Sequence, residues 1–189
     1  MPWPNWVLKT FETIPGGMNN ATQESLLYGP YNTTLGYLFP ASEGFMVVPQ
    51  YQRPTMGQSI DFTTVFIVES SDTQTPIFYL EIKPPAHIDE LSRREQADMQ
   101  MRERVRDLLH GLRIPKLHGV SAIGTRLSFY HYDVATHVLE PPAIPRDPIL
   151  INDTAPAERW GVDLLSDEGC ERLVQLATEV KNMAKAGGI

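Results

Sequence analysis

Apolar and polar residues alternate with period two along three stretches in the first half of the chain, the spacing expected of strands. "GFMVVPQY" (44–51), "SIDFTTVFIVE" (59–69) and "PIFYLEIK" (76–83) are rich in β-branched and aromatic residues and predict three strands, the last two joined through "SSDTQT" as a hairpin. Ahead of them, Asn20–Tyr28 predicts a helix with Asn20 or Thr22 as cap, Leu26 and Leu27 inward, and an interruption at Gly29-Pro30.

After Pro84-Pro85 the period lengthens to that of a helix. From about Ile88 to Leu112, residues Arg94, Ala97, Asp98, Met101, Val105, Leu108 and Leu112 recur at spacings of three and four and define an inward stripe. Asp89 and Glu90 are expected in the first turn, at the positive end of the helix dipole. "LHGVSAIG" (117–124) and "RLSFYHYD" (126–133) predict two further strands around Gly124-Thr125. A Pro-rich connection (141–148) leads to a last amphipathic helix from Ser166 that buries Leu173, Ala177, Val180 and Ala184. The order helix, three strands, helix, two strands, helix predicts an α/β (α+β mixed) fold in which helices pack on a mixed sheet. One domain is expected over 1–189, with a core at about 20–133 and a C-terminal helical extension at about 153–186.

The third strand spends two charges inside an apolar run. Residues two apart share a face, so Tyr79, Glu81 and Lys83 point one way and Phe78, Leu80 and Ile82 the other. A hairpin turning near 71–73 pairs residues whose numbers sum to roughly 142–146, which brings Asp61 beside Glu81 and Lys83. Glu69 shares that face but lies near the turn, where solvation is expected. The plain alternative is a solvent-facing charged stripe on an edge strand. If the carboxylates are instead partly buried together, leaving both ionised costs on the order of several kcal/mol unless a cation neutralises them. Mg²⁺ takes oxygen ligands, and the backbone carbonyl of Ile82 could join Asp61 and Glu81 in the set. Lys83 would then stand ready to handle a proton or offset charge at a reacting phosphate.

Asp61, nineteen residues, then Glu81-Ile82-Lys83 resembles the PD-(D/E)XK nuclease superfamily, whose restriction-endonuclease-like core runs helix, three strands, helix, strand. The likeness covers about residues 20–133; isoleucine stands where the motif often has proline before Asp61, and the overall run is also similar to small fungal proteins with this core. The resemblance implies a metal-dependent nuclease acting on DNA or RNA. Asp61 and Glu81 would be ligands to Mg²⁺ or Mn²⁺, Lys83 the catalytic lysine, and Glu24 the candidate for an acidic residue that many members carry on the first helix. Many members act as homodimers, but no feature of this sequence decides that point. A module of the same fold that binds without cutting is the other reading, because fold does not fix function.

Composition narrows the choice further. With 23 acidic against 16 basic residues the formal charge is −7, which argues against a protein coating nucleic acid through a global positive field but leaves room for a local basic groove. Eight of the 16 Lys and Arg residues fall between Lys83 and Lys116, most of them on the expected helix, where Glu95, Asp98 and Glu103 can pair with them on a solvated face. Arg94 is the exception. It sits on the inward stripe, either reaching a phosphate or carboxylate at the site or paired with Asp98 in the interior. The five histidines show no ligand spacing, no Gly-rich phosphate loop or GxSxG elbow occurs, and the single Cys170 reads as a small buried helix residue. No basic segment followed by an apolar one opens the chain and no run of eighteen apolar residues occurs, so an intracellular protein, cytoplasmic or nuclear and with no membrane span, is expected.

Overall fold

A computed structural model describes residues 2–15, 17, 23–49 and 65–189. Its strands are β1 (Phe45–Pro49), β2 (Val65–Ser70), β3 (Pro76–Lys83), β4 (Lys116–Ile123), β5 (Arg126–Asp133), β6 (Val138–Glu140) and β7 (Val162–Asp163), and its α-helices are α1 (Asn5–Glu12), α2 (Tyr28–Leu38), α3 (Leu91–Leu108) and α4 (Asp167–Ala186). The strands form one sheet in the order β1 to β6, with β7 also pairing with β5. All pairs are antiparallel except β3 with β4, which run parallel and are connected through α3. The expected mixed α/β architecture is therefore present.

Alternation along β3 sorts the two sides of the sheet. Phe78 stacks on Phe39, which follows α2, at 5.4 Å between centroids, and this face joins α1, α2 and α4 in the main apolar core, to which α3 adds Met101, Val105 and Leu108. Tyr79, on the other face, donates its hydroxyl to the Met101 carbonyl of α3 at 3.1 Å. Its ring lies so close to β4 that a Cβ at Gly119 would stand 2.2 Å from it, so only glycine leaves room there. β3 is buried over its whole length and lies third in the sheet, so the solvated edge stripe is ruled out.

Several expectations change. The first helix of the chain is α1, an eight-residue segment that buries Val7 and Phe11. Where a helix over 20–28 was expected, the described residues form a 3-10 turn, Glu24–Leu27, that runs into α2. Gly29-Pro30 does not interrupt α2. Pro30 is its third residue, where the N–H has no intrahelical acceptor and its loss costs nothing. α3 begins at Leu91, after a 3-10 turn over Pro85–Asp89; Glu90 is its cap in extended conformation, so neither acidic residue lies in the first turn. Glu69 is buried rather than solvated, beside a register shift in the β2–β3 pairing, and burial raises its pKa. Cys170 and the inward residues of the last helix are buried as expected.

The segment 141–160 is tied across α3 by ion pairs. Arg146 meets Glu95 at 2.8 Å, and Arg159 meets Asp98 at 2.6 Å. Arg94 donates to Asp153 and to the carbonyls of Ala155 and Ile88. Underneath, Ala97, Ile123, Ala155 and Trp160 form a second, small apolar cluster against which Ile88 packs. No helix among the described residues is long and apolar enough to cross a membrane.

Candidate functional site

β3 carries Glu81 and Lys83 to its C-terminal end on the α3 side of the sheet. The β2–β3 pairs Val65–Glu81 through Val68–Phe78 sum to 146, at the edge of the expected register. Asp61, the proposed partner of Glu81, lies outside the described residues. Glu81 itself is only 1% exposed. Its Oε1 accepts from Arg104 Nε at 3.3 Å, while its Oε2 is buried with no hydrogen-bond partner among the described residues. Burial pushes the carboxyl up to about 7, against the opposing pull of the Arg104 and Lys83 charges. Ile82, whose carbonyl was the third candidate ligand, is wholly buried.

Lys83 is almost as enclosed, at 7% exposed, and its Nζ lies 3.8 Å from Glu24 Oε2. Glu24 opens the 3-10 turn before α2, and its other oxygen accepts from the Tyr28 hydroxyl at 3.1 Å. The structure thus brings Glu24, Glu81 and Lys83 into one cluster and adds Arg104, which the sequence placed on a solvated helix face. Arg104 lies three residues past Met101 at the border of the inward stripe, and that spacing was the available signal. It also reaches Asp107 at 3.6 Å.

Arg94 is not part of this cluster. Among the described residues it touches none of Glu24, Glu81 and Lys83, and its carboxylate partner is Asp153 instead of the expected Asp98. Asp98 accepts instead from Arg102, Arg159 and the Tyr130 hydroxyl, the last at 2.8 Å. His118 and His131 face each other across β4 and β5, 5.9 Å between ring centroids, with His118 Nε2 3.2 Å from Glu179; burial lowers the His118 pKa.

The donors test an ion site in part. A buried carboxylate oxygen without a partner is the hard donor that Mg²⁺ or Mn²⁺ prefers. Among the described residues, however, no group of three His, Cys, Asp or Glu is arranged to hold a metal, so the set depends on Asp61.

No family model matches the chain, and no curated protein does. A matching solved structure is the type IIG restriction endonuclease BpuSI, with 14% identity and a TM-score of 0.41. The match covers 82% of this chain, which spans 16% of that one. The likeness is loose, and cutting DNA is a property of that protein.

Proposed function

We propose that this chain is a metal-dependent nuclease of the PD-(D/E)XK type, hydrolysing phosphodiester bonds in DNA or RNA. The observation that carries the reading is the Oε2 of Glu81, without a partner among the described residues, on a glutamate buried at the end of a central strand where an apolar residue would pack at lower cost. Glu81, Asp61 and the Ile82 carbonyl would hold Mg²⁺ or Mn²⁺. When bound, the ion neutralises the carboxylates and lowers the barrier to charge on the phosphate. Lys83 would handle a proton at the attacking water, and Glu24, 3.8 Å from its Nζ, would set its orientation.

A second reading, a module that binds nucleic acid without cutting, is favoured by one contact. Arg104 already supplies Glu81 with a positive charge. The test is a panel of labelled single- and double-stranded DNA and RNA at low salt with Mg²⁺, Mn²⁺ or EDTA. Cleavage is expected only with the divalent ion, and Lys83→Ala should lower it by about a hundredfold or more while weakening binding by no more than one phosphate contact. Cleavage that persists in EDTA or in the Lys83 variant refutes the mechanism. Binding without cleavage of any panel member transfers the conclusion to the non-cutting module.

A further inference from the structure

Beside the site, where the parallel strands β3 and β4 end, a cleft of about 350 Å³ opens between the turn after β3 and the turn joining β4 to β5. Crevices at the carboxyl ends of parallel strands are common ligand sites, because the loops leaving them diverge. Pro85, Ile88 and Ile123 give it apolar walls, and Asp89, Thr125 and Arg126 give it polar ones. It is joined to the site by the chain itself. Ile123 is the register partner of Lys83, and the Gly124 N–H donates to the Lys83 carbonyl at 2.9 Å. The walls are fixed in place, since Ile88 and Ile123 belong to the small cluster around Trp160, and Gly124 takes a positive φ of 62° with Pro85 packed against it.

The charges in this cleft are unspent. Most arginines of the chain hold a carboxylate, but Arg126 makes no ion pair among the described residues, and neither does Asp89. The two line the same cleft and do not pair with each other. Asp163 of β7 is the register partner of Arg126, but the two make no ion pair among the described residues, and the Asp163 Oδ1 accepts from the Leu165 N–H at 3.0 Å.

We propose that this cleft binds a nucleobase of the nucleic acid next to the reacting phosphate, and that it selects guanine. The choice of ligand rests on the nuclease reading; the choice of base rests on the cleft. A flat ring against Pro85 and Ile88 exchanges water for apolar contact on its faces. Its edge must then satisfy a guanidinium and a carboxylate together. Guanine does so, with O6 and N7 accepting from Arg126 and N1–H and N2–H donating to Asp89, whereas adenine, cytosine and uracil each lack part of that pattern.

Titration of this chain, residues 1–189, with GMP, AMP, CMP and UMP in EDTA separates this from the reaction. GMP should bind saturably and at least about tenfold more tightly than the other three, and Arg126→Gln and Asp89→Asn should each remove about tenfold or more of that affinity. Both side chains are exposed, so the fold should tolerate either change. Equal affinity for the four nucleotides, no saturable binding, or variants that bind like the parent would overturn the proposal. Guanine selectivity in a chain that cuts nothing sinks the reaction alone, and cleavage without that selectivity sinks the cleft alone.

Discussion

Glu81 is held in a place that favours its neutral form. Its pKa rises from the ordinary 4.5 to about 7, burial outweighing Arg104 and Lys83. The folded state therefore binds this proton more tightly than the unfolded chain does. That contribution to stability is complete below about pH 4.5 and is lost as the pH climbs through 7. Glu81→Gln, a neutral side chain of the same shape, should be close to the parent in stability at pH 4.5 and more stable at pH 8, by on the order of 3 kcal/mol. Urea melts at the two pH values in EDTA measure the difference. A variant that is weaker at pH 8 would show that Arg104 and Lys83 hold the carboxylate ionised, and the position would then be an interior salt bridge and no ion site. Mn²⁺ should raise the melting temperature of the parent more at pH 8 than at pH 5, since only the ionised carboxylate binds it, and should leave the glutamine variant unmoved.

At the scale of elements, α3 acts as the post to which the strap 141–160 is lashed, and Asp98 is the knot. Asp98→Ala would leave Arg102 and Arg159 without their carboxylate and the Tyr130 hydroxyl without an acceptor, at a cost of about 3 kcal/mol in denaturant melts. A loss below about 1 kcal/mol would mean that these partly buried pairs contribute as little as surface ones. Pairing of Asp98 with an arginine of its own helix was legible, but the tie to Arg159 was not, because Arg159 and Asp98 are 61 residues apart and periodicity within one helix says nothing about a partner so distant. The same reason hid Arg104, whose partner is on a strand. What periodicity can reach was read well: the bounds of β3 and β5 coincide with expectation, and the buried stripe of α3 from Arg94 to Leu108 is the predicted one. Shortness explains the elements that went unread. α1 has eight residues and no side-chain cap, and β6 and β7 have three and two residues, fewer than an alternating pattern needs to show itself.

Across the whole molecule, the main core draws on all four helices and the sheet together, with a smaller cluster under the strap. Amide hydrogen exchange should accordingly be slowest in β3, β4 and the centre of α3, and fastest in residues 143–152, where Ile149 and Ile151 are 88% and 95% exposed. Equal protection of those segments would contradict the layered packing described above. Strand order sets a timetable as well as an architecture. Since neighbours in the sheet follow one another in sequence from β1 to β6, each strand leaving the ribosome finds its partner already made, and little of the sheet has to wait. Trp3 does wait. The indole N–H of Trp3 donates to the carbonyl of Leu164, 161 residues later, so Phe11 can settle on Tyr31 early while Trp3 is fastened only after residue 164 has been made.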